Sequence, residues 1–123
     1  VADYRVAQPQ AQKIKKNEGT LTLELIPNPD ILAWVATQPD APFCVGFAAE
    51  SDHLHTYAKE KRRKKAIPPL AANRAQEAIG SDDNEIILFD DAGEHVLPRA
   101  SKLTQARALL RHAAMLYKKG KTQ

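Results

Sequence analysis

Residues 42–50 run PFCVGFAAE, eight uncharged residues closed by an acid. A strand with one wet face alternates apolar and polar positions. An unbroken apolar run suits a strand covered on both faces, as in a parallel sheet. Covering both faces takes helices, and helix signals flank the run. On one side, NPDILAWVATQ offers Asn28 as N-cap, Pro29 at the first helical position and Asp30 at the positive helix end. On the other, a helix is expected from about Ser51 to Lys65, capped by Ser51 or Asp52.

The rest of the chain continues the alternation. TLTLELI, residues 20–26, places Leu21, Leu23 and Leu25 on one face of a strand. AIPPLAAN is a weaker strand signal, because Pro68 and Pro69 suit a central strand poorly. EIILFD and EHVLP flank DAG as a C-terminal β-hairpin. A final helix is predicted from about Ser101 to Lys119, with Leu103, Ala106, Leu110, Ala113 and Tyr117 inward and Gly120 as its stop. Residues 5–20, RVAQPQAQKIKKNEGT, form a polar, basic arm, an extended flap of a length that is usually functional or disordered. The order is strand end, arm, strand, helix, strand, helix, strand, hairpin, helix. It predicts one α/β domain, residues 1–123, around a mostly parallel sheet with flanking helices. VADYR at the start is an apolar pair running into an acid, the end of a strand whose beginning is missing. The N-terminal part of the domain is therefore expected to be absent.

Charge narrows the partners. The sequence pI is about 9.1, but the net charge is only +3, so the basic bias is local. It concentrates in KEKRRKK, residues 59–65, with six basic residues and one acid. Nucleic-acid modules spread their basic face and add stacking aromatics; here aromatics are 6% and none lies in the run. An anionic small molecule or a solvated helix end fits better. No apolar run approaches the ~20 residues of a membrane helix, no signal peptide is visible, and a single cysteine fits a reducing cytoplasm.

In open α/β sheets ligands bind beyond the carboxyl ends of the strands. Asp3, Glu50 and Asn73 stand just after strand segments, and the helix opening at Asn28 is expected on the same edge. Its free N–H groups at Ile31 and Leu32 suit an anion or a base edge. On the 51–65 helix Leu54, Tyr57 and Ala58 mark the inner face, and the same spacing leads to Lys61 and Lys65. Two lysines one turn apart can clamp a polyphosphate, whereas Lys59, Arg62 and Lys64 point elsewhere; alternatively, all simply favour the helix dipole. KIKK, with Lys13, Lys15 and Lys16, makes the arm a flap able to close on an anion, or a solvated loop. Cys44 lies in an apolar strand with no evident base nearby, Trp34 and Met115 suit a core or interface, and GSDDNE lacks calcium-loop spacing. His53, His55, His95 and His112 are too scattered for a zinc site, so no metal ligand is expected from the chain. The glycines form no phosphate loop.

Taken in order, VADYR, KIKK, NPDIL, VGFAAE, YAKEKRRKK, GSDDNEI and the SK before the last helix resemble phosphopantothenoylcysteine synthetase. This is the phosphopantothenate–cysteine ligase domain of the bacterial bifunctional coenzyme A flavoprotein. The resemblance implies a Rossmann-like fold, a homodimer and a two-step ligation. The carboxylate of 4′-phosphopantothenate attacks the α-phosphate of CTP, releasing pyrophosphate, and the amine of cysteine then displaces CMP. Mg2+ accompanies the triphosphate, ATP replaces CTP in some members, and FMN belongs to the separate decarboxylase domain of the parent chain.

By the same resemblance Asp3 contacts the nucleotide, and Lys13 closes over the site in the second half-reaction. Pro29, Asp30, Ile31 and Leu32 hold the nucleotide at the helix start. Phe47 packs near it, and Lys61 and Lys65 bind nucleotide and phosphate. The early glycine-rich turn and an acyl-handling asparagine of the family are missing, and AIPPLAANRA departs from its usual strand. The isolated 123 residues are therefore expected to bind CTP weakly or not at all and not to ligate. The alternatives are a basic nucleic-acid-binding module and a remnant that only dimerises.

Overall fold

A computed structural model describes residues 2–121, apart from the Lys121 side chain. Val1, half of the apolar pair assigned to a strand end, lies outside them. The chain divides into two compact units, Val1–Ile31 and Leu32–Gln123.

The first unit is an antiparallel pair, β1 (Tyr4–Val6) with β2 (Leu25–Pro27), in the register Tyr4↔Pro27, Arg5↔Ile26 and Val6↔Leu25. The opening strand thus follows Asp3 rather than ending before it. Between the strands, residues 8–24 contain neither helix nor strand, as the arm predicts. The strand expected over 20–26 forms only at its end, and Leu21, Leu23 and Leu25 are exposed. Asn28 is not the helix cap. Its Nδ2 donates to the Ala2 carbonyl (2.8 Å), and its Oδ1 accepts from the Arg5 guanidinium (3.1 Å). Helix α1 (Ile31–Ala36) begins three residues later.

In the second unit, four strands stand in the order β3 (Gly46–Glu50), β4 (Leu70–Arg74), β5 (Asp83–Asp90), β6 (Gly93–Ser101). Helix α2 (Leu54–Lys65) links β3 to β4, the short α3 (Ala75–Ala78) links β4 to β5, and α4 (Lys102–Lys121) closes the chain. The α/β class holds, and so does the hairpin, whose register includes Leu88↔His95 and Asp90↔Gly93. The sheet is not mostly parallel. Only β3 and β4 run parallel; β4–β5 and β5–β6 are antiparallel. The cause is connection length. A parallel crossover needs a dozen or more residues, and only residues 75–82 separate β4 from β5.

One face of this sheet packs Ala48, Leu70, Ala72, Ile87 and Phe89 against Leu54 and Ala58 of α2, with Leu32, Val35 and Ala36 of α1 at the margin. The other face packs Ala71, Ile86 and Leu88 under Leu109 of α4. β3 is the end strand of this order and alternates between buried and exposed residues, with Phe47 55% exposed. The run 42–50 is therefore covered on one face in this unit, not on both. Pro68 and Pro69 precede β4, where they disturb no ladder.

The last helix is rotated from its predicted phase. Of the predicted stripe only Ala113 is buried; Leu103, Ala106, Leu110 and Tyr117 are exposed, and Gln105 is buried instead. A polar residue occupies an inward position because its Nε2 donates to the main-chain carbonyls of Asn84 (2.9 Å) and Leu97 (3.3 Å). The helix also continues through Gly120 to Lys121. Trp34 and Met115 are exposed rather than core.

Candidate functional site

Within the first unit the chain brings Asp3 beside the segment that precedes α1. The Asn28 N–H donates to the Asp3 carbonyl at 2.8 Å, so Pro29, Asp30 and Ile31 continue from the end of the strand pair at which Asp3 stands. Ile31 is exposed at the helix start. Lys13 is exposed on the irregular stretch 8–24. Leu32, by contrast, packs on the core of the second unit through its side chain.

Within the second unit the parallel pair β3–β4 has the register Ala49↔Asn73 and Glu50↔Arg74. Its carboxyl end therefore carries Glu50 on the α2 face and Asn73 on the opposite one. Glu50 is only 7% exposed. A carboxylate there needs a compensating cation, and Lys61 of α2 provides it, with Nζ 2.6 Å from Glu50 Oε1. The geometry is a charge contact rather than an aligned hydrogen bond, since that oxygen has no hydrogen-bond partner. The Lys61 side chain is 46% exposed. The helical stripe thus singled out a lysine that reaches the strand ends. Lys65 is half-buried at the last residue of α2, on the end that leads back toward the start of β4. The two lysines are therefore not equivalent.

Two other basic residues of the run, Lys59 and Arg62, have structural partners. Arg62 donates from Nε to the Pro68 carbonyl (2.9 Å), and its guanidinium pairs with Asp91 in the hairpin turn. Lys59 lies 2.6 Å from Glu94 Oε1, and His55 Nδ1 lies 2.9 Å from Oε2. The Lys59 ammonium, and after it the His55 ring, hold the Glu94 carboxyl below its ordinary 4.5 despite the opposing effect of burial.

Phe47 and Asn73 line a cavity of about 490 Å³ with Asn84 and Ile86 of β5 and Lys102, Gln105 and Leu109 of α4. Two buried acceptors there, Asn73 Oδ1 and Gln105 Oε1, have no hydrogen-bond partner among the described residues. Sequence inspection marked Phe47 and Asn73 but missed Gln105 and Asn84, which gave no signal beyond being polar residues in apolar surroundings.

The histidines are less scattered than their spacing suggests. His95 Nε2 lies 3.0 Å from Asp90 Oδ1, and His112 Nε2 lies 2.7 Å from Asp90 Oδ2. Burial raises the Asp90 carboxyl, but hydrogen bonds from His95, His112 and the Ala92 N–H outweigh it and leave the group below its ordinary 3.8.

Comparison with known proteins decides the family. The description "DNA/pantothenate metabolism flavoprotein C-terminal domain" matches residues 1–116. The chain belongs to this family. The coenzyme A biosynthesis bifunctional protein CoaBC of Vibrio cholerae is 43% identical over 116 residues, and that of Escherichia coli K12 is 39% identical over 117. Each alignment covers 89% of this chain but 29% of the relative, so the chain spans under a third of the curated relatives it matches. The crystal structure of the C-terminal domain of a CoaBC protein superimposes with a TM-score of 0.70 at 27% identity, over 97% of this chain and 52% of that one. The family resemblance drawn from VADYR through the final SK therefore holds, and the α/β fold is that of the CoaBC C-terminal domain. The solved Streptococcus pneumoniae member, at 19% identity and a TM-score of 0.58, shares the fold. Among the described residues, no helix is long and apolar enough to cross a membrane.

Proposed function

We propose that the chain is part of a coenzyme A biosynthesis enzyme that joins 4′-phosphopantothenate to cysteine at the expense of CTP. The observation that carries this reading is Lys61. In a chain of this family, it holds a cation at the carboxyl end of the parallel strand pair, partly exposed and fixed there by Glu50. Such a cation stabilises the charge that grows on departing pyrophosphate when the substrate carboxylate attacks the α-phosphate. The cysteine amine then attacks the acyl carbonyl of the resulting acyl-cytidylate, CMP leaves, and the amide forms. Lys65 is assigned to the nucleotide phosphates, Asp3 and Pro29–Leu32 to the nucleotide, Phe47 to packing beside it, and Lys13 to closure of the irregular stretch. Closure protects an activated acyl group from water. Mg2+ enters with the triphosphate. Because Glu50 is engaged by Lys61, phosphate oxygens and water would hold the ion. A homodimer and a cytoplasmic location complete the proposal, with FMN confined to a separate domain of the parent enzyme.

Nucleic-acid binding has less support, because Lys59 and Arg62 of the basic run each face an acid of the same chain. The test uses the full-length protein that carries these residues. Incubation with CTP, Mg2+, 4′-phosphopantothenate and cysteine is expected to yield pyrophosphate, CMP and amide in equal amounts. Absence of all three, together with tight binding of a random oligonucleotide, would replace the ligase with a polyanion binder.

A further inference from the structure

We infer that Asp90, His95 and His112 form a binding site for a divalent transition-metal ion of the zinc class, bridging the β5–β6 hairpin and helix α4. The three donors come from three elements. Asp90 is the last residue of β5, His95 lies on β6 opposite Leu88, and His112 lies within α4. Their ligand atoms all fall within 4.8 Å of one another. Both imidazoles direct Nε2 at one carboxylate, and the ring centroids stand 4.7 Å apart.

Two imidazole nitrogens and a carboxylate oxygen are a donor set that first-row divalent ions favour. An ion bound at about 2.0–2.2 Å from each donor spaces neighbouring donors roughly 3–3.5 Å apart. Of the observed nitrogen–oxygen distances, 3.0 Å for His95 lies at the lower edge of that range and 2.7 Å for His112 is slightly shorter. The ion would replace the protons now shared across those contacts, with only small ring movements. The carboxylate is already oriented. Oδ1 accepts the Ala92 N–H at 2.8 Å and the Gly93 N–H at 3.2 Å, the kind of outer support that fixes a metal ligand. Oδ2 is the oxygen that remains for the ion beside His112.

Access and burial are also suitable. The Asp90 side chain is 3% exposed and that of His112 13%, whereas that of His95 is 38% exposed. The site is therefore closed on the core side and open on the His95 side, where an ion can enter and keep a water ligand. Its consequence is structural: an ion here ties the last helix to the hairpin. The site uses none of the residues assigned to the nucleotide.

The experiment takes the full-length protein without a polyhistidine tag, stripped with chelator, and titrates it with Co2+ alone and then with Zn2+. The expected result is one equivalent of Co2+ with a visible ligand-field band, displaced by Zn2+, and a melting temperature that rises with metal concentration. His95→Gln and His112→Gln are each expected to weaken Co2+ binding by at least about tenfold. His53→Gln and His55→Gln should leave it unchanged. Should His112→Gln fail to fold, the more exposed His95→Gln decides. Absence of a band at large metal excess, or a band lost with His53 or His55 but kept in His95→Gln, overturns the inference and leaves a hydrogen-bonded triad.

Discussion

Lys61→Ala in the full-length protein is expected to weaken nucleoside triphosphate binding by about 10- to 100-fold. A hydrogen bond to a charged group contributes about 1.5–3 kcal/mol, and each 1.4 kcal/mol is about a factor of ten. The same substitution should also destabilise the fold, because Glu50 is 7% exposed and would lose the ammonium 2.6 Å away. Removing one partner of a buried ion pair leaves an uncompensated charge. The two effects separate in the double variant. Adding Glu50→Gln removes the stranded charge, so Lys61→Ala/Glu50→Gln should recover much of the stability while triphosphate binding stays weak. Calorimetric titration with CTP and Mg2+ reads the first quantity, and thermal unfolding reads the second. Recovery of both would mean that Lys61 merely neutralises Glu50. Lys59→Ala, whose partner is Glu94, serves as the control and should leave the CTP affinity unchanged.

Gly46→Val is expected to cost about 3 kcal/mol of folding stability, at the upper end of the usual penalty for overpacking a core. A Cβ at Gly46 would stand 2.7 Å from Leu70 Cδ1 and closer still to Ile67 Cδ1. Both neighbours are 2% exposed and lie in the cluster between the sheet and α2, so neither can swing into solvent. The Gly46 N–H also donates to the Pro69 carbonyl at 3.0 Å, which fixes the strand against the start of β4. Urea unfolding should show a lower midpoint with an unchanged slope. Combining the milder Gly46→Ala with Ile67→Ala should cost less than the sum of the two, since one substitution makes the space that the other fills. Strict additivity, or a Gly46→Val variant as stable as the parent, would contradict the packing described.

Local signals proved legible, and relations set by distance along the chain did not. DAG between two apolar runs gave the hairpin, and Leu54 with Ala58 gave the inward face of α2 and led to Lys61, although Tyr57, expected on the same face, is exposed. Sheet direction depended on the eight residues 75–82, too few for a crossover back to parallel. In α4 the apolar stripe was misphased because Gln105 faces inward, satisfied by main-chain carbonyls that pattern alone does not reveal. The Asp90 cluster needed both the Leu88↔His95 register and the placement of His112; neither is written in residue spacing. Asn28 was a sound N-cap by type, yet its amide is held by Ala2 and Arg5. For the site, Asp3 does lie next to the Pro29–Ile31 segment, and Lys61 does reach the end of β3. The resemblance to the ligase family supplied the chemical roles.

β5 has a ladder on each side, with β4 and with β6, and five consecutive buried residues toward its end. Its amide protons should therefore be among the last to exchange with deuterium, released only when the second unit opens as a whole. Those of residues 8–24, outside any ladder, should exchange within the first time points. Within the described residues, a slow clock thus sits in the strand that ends at Asp90 and a fast one in the stretch bearing Lys13.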